Sequence, residues 1–267
     1  MTAAPTAVVT GASRGAGRGI AAALLSAGWR VYLTGRTVTD AVSGGIPVTV
    51  DHRDDAQVAA LFERVAQECG TLDLLVNNAA AISDRLTSRK PFWDKPIELG
   101  DVLDVGLRSS YVASWHAARS MVPAGRGLIA FTSSPGSVCY MHGPAYGAQK
   151  AGVDKMAADM AVDLAGTGVA TVSIWMGILL TEKFVGAFDG QPEALAQTAE
   201  HAETPEFTGH VLDALWRDPA LVELSGQTLI GAEIATRYGI TDVDGRQPPS
   251  HRDALGSPRI PSTVVMR

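Results

Sequence analysis

The sequence predicts a doubly wound α/β domain: a mostly parallel seven-stranded sheet with helices on both faces. Three observations predict it. Short apolar runs of strand length alternate with longer alanine-rich or helically periodic stretches, the pattern that builds parallel sheets. A glycine-rich turn stands between the first apolar run and the first helical stretch. The 267 residues are 46% hydrophobic with 28 glycines and 19% charged residues, enough apolar surface for a full core and too little charge for a disordered chain.

Composition also narrows the partners. A formal charge of -6 leaves no positive surplus to meet phosphates, so nucleic acid is not an expected partner. Cys69 and Cys139 are the only cysteines and neither sits in a CxxC. That argues against a disulfide framework and a zinc site, and makes a reducing cytoplasm the expected location. No apolar run approaches the roughly 18 residues of a membrane span, so no membrane partner is expected. The chain enters a strand almost at once, without the basic start and apolar core of a secretory signal.

The elements follow in order. Ala7–Thr10 is the first strand, then Gly11-Ala12-Ser13-Arg14-Gly15-Ala16-Gly17, then a helix over Arg18–Ala27. Gly11 permits the tight turn, Gly15 lets backbone approach a pyrophosphate, and Gly17 allows close helix packing, with the helix N-terminus facing the anion. The second strand, Arg30–Thr34, ends in Gly35-Arg36 with no acidic residue to hold a ribose hydroxyl. Arg36, with Arg14 as a second cation, suits a 2′-phosphate and selects NADP(H) over NAD(H); solvated surface charge is the plain alternative. Thr37–Gly45 has no helical period and predicts a crossover cut down to a loop. Asp51 ends the third strand, Ile46–Val50, and either accepts from an adenine amino group or caps the next helix.

That helix, Asp54–Glu68, carries Val58, Leu61, Phe62 and Val65 on one face. Leu72–Val76 is a fourth strand ending in Asn77-Asn78-Ala79, whose amides either tie backbone segments beside the cofactor or serve a turn. Ala81–Pro96 is a polar loop over the sheet's mouth, with Arg85, Arg89, Lys90, Phe92 and Trp93. A long helix with a break, Ile97–Val122, carries Leu103, Leu107, Tyr111 and Trp115. Leu128–Phe131 is the fifth strand and Thr132-Ser133-Ser134-Pro135-Gly136 the turn after it.

Tyr146 and Lys150 then open a helix over Ala145–Gly166, four apart and so on one face. An ammonium beside a phenol favours the phenolate and lowers its pKa, which fits the pair for proton transfer to or from a hydroxyl. Ser133 lies thirteen residues before Tyr146, where a strand end and a helix start can converge on one substrate oxygen.

Thr10-Gly-x3-Gly-x-Gly17, Asn77-Asn78-Ala79, Ser133 and Tyr146-x3-Lys150, in this order, resemble the short-chain dehydrogenase/reductase superfamily over about residues 5–235. Asp104-Val-Gly-Leu-Arg108, Ser133-Ser-Pro-Gly-Ser137 and Arg237-Tyr-Gly are similar to the subgroup named dehydrogenase/reductase family member one. The resemblance implies a Rossmann-type domain and carbonyl reduction or alcohol oxidation with NADP(H), on an apolar or steroid-like ketone or aldehyde. It implies Tyr146 as general acid/base, Lys150 on the nicotinamide ribose and Ser133 on the carbonyl, with Ser134 as the outside choice. It also implies cofactor contacts from Gly177, Ile178 and Thr181, and a homodimer or homotetramer. The rival readings are imine reduction or epimerisation at the same site, and a non-catalytic dinucleotide-binding or regulatory protein.

Two positions depart from the superfamily. Gly106 stands where many members have an Asn that helps water reach the Lys, and Met176-Gly177 replaces Pro-Gly after the sixth strand, without proline's fixed φ. The sixth strand is Ala170–Trp175, and Thr181 alternatively starts the next helix. Residues 178–205 form a candidate substrate lid with Phe184 and Phe188, or a surface helix pair. Thr208–Trp216 is a further helix and Gln227–Ile230 the seventh strand, closing a domain of residues 1–240. Residues 241–267 are expected as an extended tail, proline-punctuated, over this or a neighbouring subunit. His116, His142, His201 and His210 show no metal-like spacing.

Overall fold

A computed structural model describes residues 4–38, 42–243 and 245–266. In chain order the elements are β1 (Thr6–Val9), α1 (Gly15–Ser26), β2 (Arg30–Gly35), β3 (Ile46–Thr49), α2 (Asp55–Cys69), β4 (Leu74–Asn77), α3 (Ser109–Ala124), β5 (Gly127–Ser133), α4 (Pro144–Leu164) and β6 (Val169–Trp175). They continue as β7 (Ile178–Leu179), α5 (Glu182–Gly186), α6 (Pro192–Ala199), β8 (Ala202–Glu203), α7 (Phe207–Arg217), β9 (Thr228–Ile230), α8 (Gly231–Tyr238) and α9 (Arg252–Leu255). The predicted sheet is present and wholly parallel, seven strands in the order β3-β2-β1-β4-β5-β6-β9. The winding reverses between β1 and β4, which opens a crevice at the strands' C-terminal ends.

Strand alternation decides which helices cover which face. Ala7 and Val9 of β1 face α1, α7 and α8, together with Leu33, Val76, Phe207 and Leu212. Val8 between them faces the other way, toward α2, α3 and α4, with Leu61, Phe62, Met121 and Val153. α2 starts where predicted because the Asp54 side chain accepts from the backbone N–H groups of Ala56 and Gln57. It stops at Gly70, whose φ of 77° disfavours side chains.

Three boundaries differ from expectation, each for a local reason. α1 begins at Gly15, not Arg18, so the end of the glycine loop is the first helical turn. β5 continues through Thr132 and Ser133, pairing Ser133 with Trp175, so these are strand rather than turn. The long helix expected from Ile97 is instead a 3-10 turn at Ile97–Gly100 and a wide turn at Leu103–Arg108, with α3 beginning only at Ser109. The break sits at Gly106, whose φ of 144° side chains rarely adopt.

Between β2 and β3, Arg36, Thr37, Ser43 and Gly44 are turns; residues 39–41 of the expected loop lie outside the described residues. The tail is irregular apart from α9 and rests on its own chain. Arg252 and Ser250 bind Glu233, and the His251 ring lies 6.1 Å from that of Trp175. Asp244 and Arg267 of this tail fall outside the described residues. Among the described residues no helix is long and apolar enough to cross a membrane, and no group of His, Cys, Asp and Glu could hold a metal ion.

Candidate active site

The crevice between β1 and β4 is bordered by the glycine loop. Thr10 holds it in place: its hydroxyl accepts from the N–H groups of Asn78 and Ala79, both at 2.9 Å. The Asn78 amide donates back to the carbonyls of Thr10 at 2.9 Å and Gly11 at 3.1 Å. The packing leaves no room for side chains, since a Cβ on Gly17 would lie 2.4 Å from the Asn78 amide and the Gly11 oxygen. Asn77 turns away, toward the Ser114 hydroxyl.

These residues fit a dinucleotide, and the protein's own carboxylate tests the fit. Glu182 accepts from the Gly15 N–H at 3.2 Å and pairs with Arg18, so the start of α1 takes an anion where a pyrophosphate would be directed. Ala16 lies in that same first turn. Ser13 lies under Gly35, its hydroxyl 3.5 Å from where a Cβ would stand, beside the exposed Arg36. Arg14 is exposed too, and neither arginine has an ion-pair partner among the described residues. Asp51 accepts from the Arg53 N–H at the end of β3. The cap of α2 is Asp54, so the alternative reading of Asp51 as that cap is corrected: the chain needs three more residues to turn into the helix.

Tyr146 and Lys150 share one face of α4. The Lys150 nitrogen is 5.5 Å from the Tyr146 ring centroid and donates to the Thr132 carbonyl at 3.1 Å. Burial lowers the Lys150 ammonium to about 8. Burial also pushes the Tyr146 phenol up, against the hydrogen bond from Ser134 that pulls it down. For this state burial is the largest influence and holds the phenol above its ordinary value rather than below it, while the Lys150 nitrogen donates to a carbonyl.

The serine also changes. Ser134, not Ser133, meets the phenol, hydroxyl to hydroxyl at 2.9 Å. Ser133 is fully buried at the end of β5, its hydroxyl 3.5 Å from the Lys150 carbonyl. Because Ser133 continues the strand, successive side chains alternate and only the next residue points into the crevice. Gly136 then packs against Tyr146; a Cβ there would come 2.6 Å from the ring.

Gly177 and Ile178 follow β6 on the same side of the crevice, with Ile178 exposed in β7. The Gly177 N–H donates to Glu203 at 3.0 Å. Glu203 lies in β8, 2% exposed, and burial raises its carboxyl to about 8. This bond fixes the turn that lacks proline. Thr181 caps α5 by accepting from the Phe184 N–H, and its methyl group lies 3.4 Å from a Cβ position on Gly15. α5 and α6 contain no buried residue, and Phe184 packs on Phe188 at 5.2 Å, so this strip lies outside the core. At Gly106, the Gln149 amide donates to the glycine carbonyl, and a Cβ there would press on that side chain.

Sequence reasoning passed over Glu182, Glu203 and His52. His52 is 5% exposed and shares a hydrogen bond with Thr34; burial holds it down at about 4. Each sits in a polar stretch that reads as surface, and no alternation marks Glu203, since both residues of β8 are buried.

Known proteins resemble this chain in sequence and fold. A family model described as short chain dehydrogenase matches residues 5–192. The chain is 45% identical over 260 residues to Dehydrogenase/reductase SDR family member 1 of Homo sapiens, a match covering 90% of this chain and 83% of that protein. The protein of the same name from Mus musculus is 43% identical over the same shares. The crystal structure of an Agrobacterium tumefaciens protein assigned as a gluconate dehydrogenase superposes with a TM-score of 0.72 at 25% identity, over 86% of this chain and 96% of that one.

Proposed function

This chain belongs to the short-chain dehydrogenase family of NAD(P)-dependent oxidoreductases, and we propose that it interconverts a carbonyl and an alcohol with NADP(H). The observation that carries the reading is the 2.9 Å contact between the Ser134 and Tyr146 hydroxyls, one helical turn from Lys150 and beside an anion-accepting glycine loop. When bound, the nicotinamide supplies or accepts the hydride. Tyr146 gives its phenol proton to the carbonyl oxygen in reduction and takes it back in oxidation. Ser134 orients that oxygen and steadies charge developing on it. Burial pushes the phenol up and so favours its protonated form, the one that can donate to a carbonyl oxygen.

Lys150 and the backbone of Gly177, Ile178 and Thr181 hold the nicotinamide end. Gly11, Ser13, Gly15, Ala16, Gly17, Asn78 and Ala79 hold the pyrophosphate and its flanks, with Asp51 at the adenine. The two unpaired arginines, Arg14 and Arg36, support NADP(H) over NAD(H) by offering two cations to a 2′-phosphate. Residues 178–205 act as the lid on a domain of residues 1–240, with residues 241–267 as its tail. The exposed Tyr111 and Trp115 of α3 support a homodimer or homotetramer, and the composition supports a cytoplasmic enzyme acting on a ketone or aldehyde.

The test is oxidation of NADPH by a panel of ketones and aldehydes, followed by the reduced nicotinamide's absorbance. Turnover that disappears in Tyr146→Phe is expected. Tight NADPH binding without oxidation by any carbonyl would overturn the reading in favour of a non-catalytic binder.

A further inference from the structure

Beside the crevice, the loop before α3 forms an open pocket of about 830 Å3, lined by Arg85, Lys90, Lys95, Trp93, Asp84 and Asp94 among others. Its charge balance is uneven. Asp84 is already bound to Lys183 at 2.6 Å, outside the cluster, which leaves Asp94 against three cations. Arg85 and Lys90 are exposed, and neither has an ion-pair partner among the described residues. Lys95 is half-buried and donates only to neutral groups, the carbonyls of Leu86 at 3.3 Å and His142 at 3.0 Å. An ammonium carries three N–H donors, so one is left over, and the charge has no ion-pair partner among the described residues.

This cavity is joined to the reacting groups through one residue. His142, whose carbonyl Lys95 holds, has a φ of 63°, a conformation that costs a residue with a side chain on the order of 1 kcal/mol or more. Its ring meets the Tyr146 ring edge-on at 5.0 Å. Lys95 therefore stands directly behind the turn that walls the phenol. Trp93, 72% exposed at the cavity's rim, offers an apolar face beside the cations.

Resting on the carbonyl–alcohol reading of Tyr146, we propose that the substrate carries an anionic group, a carboxylate or phosphate, seated on Lys95, Lys90 and Arg85 while its carbonyl reaches Tyr146. Charge-assisted hydrogen bonds to an ammonium and a guanidinium supply the missing counter-ion. The part of the substrate between its two polar ends crosses the Trp93 face. The site thus selects a charged ketone over its neutral counterpart.

Matched substrates test this with NADPH: 4-acetylbenzoate and 4-acetylphenyl phosphate against acetophenone. The expected result is a kcat/KM at least about tenfold higher for an anionic member, weakening as salt rises. Preference for the carboxylate or for the phosphate names the source of the charge. In Lys90→Gln and Arg85→Gln, both on the exposed loop and safe for folding, the ratio of charged to neutral kcat/KM falls severalfold. In Lys95→Met it falls furthest, and Lys95→Arg restores part of it. Equal kcat/KM for charged and neutral members, or a ratio unmoved by these variants, would overturn the proposal. If no ketone turns over, the carbonyl–alcohol reading fails by itself. Calorimetric binding of 4-acetylbenzoate, weakened by Lys90→Gln, then still upholds the anion site, and binding that is absent or unchanged in that variant removes it.

Discussion

The two sides of the crevice are built differently. On the cofactor side, Thr10, Gly11, Asn78 and Ala79 are joined by short hydrogen bonds between a side chain and backbone, and glycines are packed so closely that a single methyl would collide. On the substrate side, Phe92 and Trp93 are 60% and 72% exposed, α5 and α6 bury nothing, and the positive-φ His142 stands beside the phenol. The difference teaches where each kind of selection is made. A ligand of fixed shape is met by backbone, which cannot be altered without moving the sheet. A ligand to be chosen is met by exposed side chains that can change without cost to the core.

Substitutions at the seam between the sides should have the largest effects. Tyr146→Phe removes the proton source and is expected to lower kcat by roughly 10²–10⁴-fold while NADPH binding, measured by fluorescence, holds. The serines sharpen the seam further. Ser134→Ala is expected to lower kcat/KM on the order of 10²-fold, as loss of one donor to a developing oxyanion does, and Ser133→Ala to change it far less. The reverse ranking would return the role to Ser133.

On the cofactor side, Arg36→Ala should shift the ratio of NADPH to NADH dissociation constants by about tenfold toward NADH. An unchanged ratio would remove Arg36 as the discriminator. A last effect, on stability rather than on turnover or binding, is read from the Gly177 turn. Glu203 is raised by burial from 4.5 to about 8, so between those values the folded chain keeps a proton that the unfolded chain has lost. Its contribution is complete below pH 4.5, declines as pH climbs toward 8, and is flat beyond. Urea midpoints should fall over that window and fall less in Glu203→Gln, by a few kcal/mol at most at roughly 1.4 kcal/mol per pH unit.

How far the sequence could be read follows the same division. The strands were legible because buried parallel strands are continuous apolar runs, and the crevice followed from the glycine loop and the Asn78 position. The sequence does not show that Ser134 rather than Ser133 meets the phenol, because a strand's end is hard to locate in Phe131-Thr132-Ser133-Ser134, and one residue of overrun turns every later side chain to the opposite face. Tyr111 and Trp115 had helical spacing but point outward, since periodicity gives a face and not its direction. Glu203 and His52 left no trace because burial of a single polar residue is decided by elements far along the chain.

The bond from Gly15 to Glu182 gives the resting enzyme a latch made of its own chain. A phosphate directed to that amide arrives as a competitor, and its apparent affinity is the intrinsic one reduced by the fraction of time the latch is undone. Because Glu182 begins α5, any anion that displaces this carboxylate also frees the first turn of that helix from α1.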